Sequence, residues 1–115
     1  MGRGPSRRNP PTSDGIFAGP RDIPVGVRGG GPSLYGQSQA GGGVVVDLGA
    51  MNLVGPVTGK QITVLTGALW REVLSATLPY CRTPPVLTDY LGAGVGGVLS
   101  AGGLCGATHR HGLRL

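Results

Sequence analysis

The chain predicts an α+β fold of short strands, one amphipathic helix and two glycine-rich loops. Three observations carry this: β-branched runs at 23–27, 44–48 and 61–66, a helical repeat of apolar residues at 69–78, and glycine clusters at 29–31 and 92–103. One hundred and fifteen residues suffice for one small domain. Gly at 24 and Pro at 10 exceed ordinary usage, yet an apolar fraction of 39% separates the chain from disordered sequences. With one Trp, one Phe and three Tyr, the core has to be made of Val, Leu, Ile and Ala.

Residues 1–22 mix Pro, Gly, Ser, Arg and Asn without apolar periodicity and read as a disordered head. The character changes at Ile23. Val25 and Val27 alternate with Gly26 and Arg28, a short strand running into Gly29-Gly30-Gly31. Glycine lacks Cβ and takes positive φ, so successive N–H groups of this loop can converge on an anion; a diphosphate is the natural guest. Gly41 to Gly43 lead into Val44-Val45-Val46-Asp47, a β-branched run that predicts a strand covered on both faces.

Residues 53–59 read as a turn and 61–66 as a third strand. Gly55 to Lys60 is no P-loop, because its spacing is a residue short and Gln61 stands where Ser or Thr would hold magnesium. Leu69, Trp70, Val73, Leu74, Thr77 and Leu78 share one side of a helix whose other side carries Arg71, Glu72 and Ser75. Pro79 ends it, and 80–87 is an extended connector. In 88–103, Gly92, Gly94 and Gly97 satisfy G-x-G-x-x-G without a clear strand before them or an acid about 20 positions on, which argues against a Rossmann unit. Ala93, Gly97 and Ala101 fall at helical spacing, as do Gly96, Ser100 and Gly103, giving smooth faces for another backbone or a flat ligand.

Ten basic residues against five acids give a net charge of +5, but they are scattered, with no basic helix face and few aromatics for base stacking. No nucleic-acid partner is expected. Cys81 and Cys105 show no CxxC or zinc spacing, so reduced thiols and no metal site are expected; His109 and His111 read as solvent-exposed. Arg7-Arg8 is followed by Asn9-Pro10-Pro11 rather than an apolar stretch, and the apolar run 91–107 is shorter than a membrane span; a cytoplasmic protein is the expectation.

Three segments carry a resemblance. They are Arg-Gly-Gly-Gly-Pro-Ser-Leu-Tyr-Gly-Gln-Ser-Gln-Ala at 28–40, Gly-Ala-Leu-Trp-Arg-Glu-Val-Leu at 67–74, and Thr-Asp-Tyr-Leu at 88–91 with Val-Gly-Gly-Val-Leu-Ser-Ala-Gly-Gly at 95–103 and Arg-His-Gly at 110–112. Together they resemble the PCMH-type FAD-binding domain of the vanillyl-alcohol oxidase and p-cresol methylhydroxylase superfamily, and within it the cytokinin dehydrogenases and their bacterial relatives. The resemblance implies a partial FAD-binding domain over 23–115, with the substrate domain absent, and FAD binding within an oxidoreductase that moves hydride from an amine or alcohol to flavin.

Carried over by position, it implies that Val27, Gly29, Gly30, Gly31, Ser33 and Gln37 line the diphosphate and flavin side of the first loop. Asp89, Ser100 and Leu104 would touch the cofactor from the second. Asp89 matches the family's proton acceptor at the substrate amine, where a carboxylate relieves charge that grows as hydride leaves; its other reading is an N-cap for the following helix. Pro32 stands where this branch carries the histidine that links FAD covalently, and Tyr90 where other branches use a cysteine, so the resemblance implies non-covalent FAD. Gly94 replaces a family threonine, and Cys105 stands where small residues are usual. Two other readings stand beside this one: a non-catalytic remnant of such a flavoprotein, and a basic, glycine-rich nucleic-acid binder.

Overall fold

The computed structural model describes residues 16–18, 23–36, 38–103 and 105–111. The run in which Val25 and Val27 alternate with Gly26 and Arg28 forms β2 (Ile23–Arg28), the centre of a three-stranded sheet. On one side it pairs antiparallel with β1 (Ile16–Ala18), with Ile16 opposite Val25. On the other it pairs parallel with β3 (Val44–Asp47), setting Val27 opposite Val46 and Arg28 opposite Asp47. Three residues of the supposed disordered head are thus a strand; the rest of 1–22 lies outside the described residues.

The expectation that Val44 to Val46 are covered on both faces is corrected. β3 is an edge strand, and Val44, Val45 and Val46 are 52%, 38% and 42% exposed. A β-branched run fixes strand conformation, but burial depends on what packs against it.

Residues 53–59, read as a turn, are also corrected. Val54–Thr58 is β4, paired antiparallel with β5 (Gln61–Val64) around a tight turn at Gly59 and Lys60. Gly55 and Pro56 are accommodated because the register shifts between Val54 and Val57, a bulge that spares proline a ladder hydrogen bond. Gln61–Val64 falls inside the strand read at 61–66.

The amphipathic repeat forms α1 (Trp70–Thr77), with Trp70, Val73 and Thr77 buried and Arg71 and Ser75 exposed. The Glu72 carboxylate accepts the Leu69 N–H at 2.7 Å, satisfying one donor at the helix start. Pro79 ends the α-helix but not the coiling. Leu78–Tyr80 adds one 3-10 turn, tolerated because proline sits where no N–H is required. The second glycine segment forms α2 (Val95–Ala101), stopped by Gly102 at φ 66°, and Thr108–His111 forms a short α3.

α1 and α2 are tied together at their first turns. The N–H groups of Trp70 and Arg71 donate to the carbonyls of Ala93 (3.1 Å) and Leu91 (3.0 Å). Those of Val95 and Gly96 donate to Ala68 (2.8 Å) and Thr66 (2.9 Å). Helix-start donors lack partners within their own helix, and here each helix's start is satisfied by the strand-like approach to the other, with Leu69 bridged to Gly94. Ala68, Trp70, Val73, Ala93 and Val95 form the core around this crossing, flanked by Ile62 and Val64 of β5.

Candidate functional site

The crossing of 66–69 with 91–96 sets the second glycine segment against the first. A Cβ on Gly30 would stand 2.8 Å from the Gly92 carbonyl oxygen, so the contact is possible only between backbones. Gly31 adopts φ 73°, turning the loop after β2 back over itself. Among the described residues, the N–H groups of Gly29, Gly30 and Gly31 meet no acceptor. Backbone N–H groups in such a glycine loop suit an anion.

Between this loop and α2 lies a cleft of about 280 Å³. Of the residues that the sequence nominates, Val27, Gly29, Gly30, Gly31 and Ser33 line it, as does Pro32. The opposite wall is Thr88, Ala93, Gly94, Gly97, Val98 and Ala101. Gly103 of the second set lines the cleft too, so the two smooth faces part only within α2 itself, at Gly97 and Gly96. Ala93, Gly97 and Ala101 open onto the cleft, where a Cβ on Gly97 would meet nothing within 4 Å. Gly96 faces backbone, where a Cβ would collide with the Thr66 hydroxyl and stand 2.9 Å from its carbonyl oxygen.

Asp89 and Ser100 are exposed and do not line the cleft, although Thr88 next to Asp89 does. The Ser100 hydroxyl donates to the Gly96 carbonyl (2.7 Å) within its own helix. Asp89 is not the N-cap of α2; Gly94 holds that position, five residues on. Gln37 and Leu104 lie outside the described residues.

The nominated residues omit three features of the cleft. The 93/97/101 spacing marks its far wall, and that signal is present in the sequence. Thr88 and Ser38 also line it. Arg28 lines it too, its aliphatic stem beside Gly31, with Cδ 3.6 Å from where a Gly31 Cβ would be. The Arg28 guanidinium donates to Asp47 Oδ2 through Nη2 (2.7 Å) and Nε (3.3 Å), while Asp47 Oδ1 accepts the Gly49 N–H (2.8 Å). The bond from Arg28, then that from Gly49, holds the Asp47 carboxyl below the usual aspartate value.

Away from the cleft, the Cys105 thiol is pulled below its ordinary value, chiefly by its hydrogen bond with the Thr108 hydroxyl. Neither Cys81 nor Cys105 is in a disulfide. His109 and His111 are exposed on α3, and among the described residues no three His, Cys, Asp or Glu side chains come together as a metal site. No helix among them is long and apolar enough to cross a membrane.

Glycine loops that bare N–H groups beside a smooth helix face suit the diphosphate of a dinucleotide cofactor. Comparison with known proteins gives the same ligand: residues 17–114 match the FAD binding domain family. An uncharacterized oxidoreductase of the fasciation locus of Rhodococcoides fascians is 49% identical over 98 residues, 85% of this chain and 22% of that protein. Cytokinin dehydrogenase 9 of Oryza sativa subsp. japonica is 42% identical over 94 residues, 78% of this chain and 18% of its own length. Cytokinin dehydrogenase 4 of Arabidopsis thaliana is 39% identical over 95 residues, 76% and 18% respectively. The chain spans about a fifth of the length of these relatives. The match over residues 17–114, which takes in both walls of this cleft, places the chain in the FAD binding domain family.

Proposed function

We propose that this chain holds FAD without a covalent link and forms part of the cofactor site of a flavin-dependent oxidoreductase acting on an amine or alcohol. The observation that carries the reading is the cleft that Gly29, Gly30 and Gly31 line on one side and the small residues Ala93, Gly94, Gly97 and Ala101 on the other. The donors suit a diphosphate, and the wall lets a flat group lie close. Val27 and Ser33 would flank the cofactor on the loop side, with Gln37 and Leu104 joining them by family position. Ser100, whose hydroxyl donates to the Gly96 carbonyl, would join them by family position. Pro32 has no nucleophilic atom, which is why the link is non-covalent.

FAD, when bound, accepts hydride from substrate. The protein's part is to orient the two and to take the proton, and Asp89 is the residue proposed for that. Exposed at the end of the connector next to the cleft-lining Thr88, its carboxylate is open to a substrate and able to balance charge that develops beside nitrogen or oxygen.

The test is the visible spectrum of the purified chain after incubation with FAD and gel filtration, followed by acid precipitation. A flavin band that travels with the protein and is released into the acid supernatant is the expected result. A chain that emerges colourless does not hold FAD, and flavin that stays with the acid pellet would mean a covalent link. Grafted in place of the matching residues of a full-length relative, this chain should give an enzyme whose flavin reduction slows when Asp89→Asn is made. An unchanged rate removes Asp89 from the mechanism.

A further inference from the structure

β3 (Val44–Asp47) closes one side of its sheet, and all four of its residues are exposed. The N–H of Leu48, which follows it, turns toward β2 and donates to the Arg28 carbonyl at 2.8 Å. Main-chain groups of successive strand residues point to opposite sides, so Val46 also turns inward, while Val45 and Asp47 present N–H and C=O outward. Among the described residues, neither Val45 nor Asp47 has a main-chain hydrogen bond outside its own sheet. Natural edges are guarded by lysine, proline or a bulge, and Val44-Val45-Val46-Asp47 has none of these. Its one charge, Asp47, is tied to Arg28 of the same sheet at 2.7 Å.

We propose that this edge pairs with the same edge of a second copy, antiparallel about a two-fold axis through Val46. In that register Val45 and Asp47 of one copy exchange main-chain bonds with Asp47 and Val45 of the other, so every outward group is used. Val46 meets its own counterpart on the axis. Val27 lies beside Val46 in the parallel pairing, so a row of Val27, Val46, Val46 and Val27 runs across the two joined sheets. Both valines are exposed in the single copy. The charges agree with this register, because each Asp47 faces a valine rather than the other Asp47. An axis through Val45 would instead set Asp47 opposite Gly43, whose N–H is already given to the Ala40 carbonyl. An axis through Asp47 would set two carboxylates face to face. No residue of β3 lines the cleft proposed for FAD, so this inference stands apart from the flavin reading.

Analytical ultracentrifugation of the purified chain is the experiment. Monomer should give way to dimer as concentration rises. Val45→Pro removes an outward N–H that β2 does not use, and Val46→Lys sets like charges opposite each other on the axis. Each should raise the dimer dissociation constant at least tenfold while the circular dichroism of the fold is kept; if the proline variant does not fold, the lysine variant carries the test. With Cys81→Ser and Cys105→Ser in place, Val46→Cys should link two copies under oxidised glutathione and Val45→Cys should not, since only position 46 meets itself. A chain that is monomeric at every concentration overturns the proposal, and a monomer whose Val45 amide resists hydrogen exchange would identify another part of the chain as the cover. A dimer that folded variants leave intact uses a different surface and overturns it too, as does linking at position 45 in place of 46.

Discussion

Gly30 and Gly92 touch through backbone alone, with no room for a methyl group between them: a Cβ on Gly30 would stand 2.8 Å from the Gly92 carbonyl oxygen. The neighbour is main chain, fixed by the helix-start hydrogen bonds of Ala93 and Leu91, and cannot swing aside as a side chain would. Gly30→Ala should therefore part the two glycine segments. We expect a loss of about 1–3 kcal/mol in urea unfolding, the usual cost of overpacking, and FAD affinity at least tenfold weaker by flavin fluorescence. Unaltered stability and affinity would mean that the two segments are not in contact.

Gly96 and Gly97 are adjacent on α2 yet should respond in opposite ways. Gly97→Ala adds a methyl in open space and replaces a helix-interior glycine, which stabilises a helix by about 0.5–1 kcal/mol. The same methyl narrows the cleft proposed for FAD, so the variant should unfold at higher urea and hold FAD more weakly. Gly96→Ala meets Thr66 and should unfold at lower urea. Two variants that shift the midpoint in the same direction would contradict the assignment of the two faces.

Arg28 and Asp47 give a titration. Folding lowers the Asp47 pKa, so the unfolded chain binds the proton more tightly. The stabilising effect of the pair is then present above the ordinary aspartate value of 3.8 and fades as pH falls through the lower folded value. Carbon NMR of the Asp47 carboxyl should show a midpoint below 3.8 that rises in Arg28→Gln. A midpoint indifferent to Arg28 would leave the Gly49 N–H as the main cause.

Cys105 should form thiolate at lower pH than an ordinary cysteine, because the Thr108 hydroxyl bonds its sulfur. In a Cys81→Ser background, thiolate absorbance at about 240 nm should rise with a midpoint below 9.0, and Thr108→Val should move that midpoint up. No movement on losing the hydroxyl would shift the cause to the neighbouring backbone.

The structure bears out the sequence where the signal is local. Alternation at Val25 and Val27, the helix face of Leu69, Trp70, Val73, Leu74, Thr77 and Leu78, of which Leu78 is exposed past the end of α1, and the small-residue spacing of Ala93, Gly97 and Ala101 each state a backbone period or a face. Each appears as β2, α1 and the cleft wall. The misreadings are non-local. Gly55-Pro56 has the composition of a turn, and only pairing with β5 across a shifted register makes it a strand. Val44 to Val46 have the composition of a buried strand, and only the sheet order leaves them at an edge.

By itself, the sequence determined which backbone segments can lie close, because the absence of a Cβ at Gly30, Gly94 and Gly97 is a property of those residues wherever they are placed. It also determined where α1 gives way, since Pro79 cannot continue an α-helix. The tertiary structure alone decided that Gly97 faces an open cleft while Gly96 faces Thr66, and that Arg28 beside the loop is held by Asp47, 19 residues away. Register and crossing angle choose among the faces that local chemistry offers, and they follow from packing summed over the whole chain rather than from any one residue.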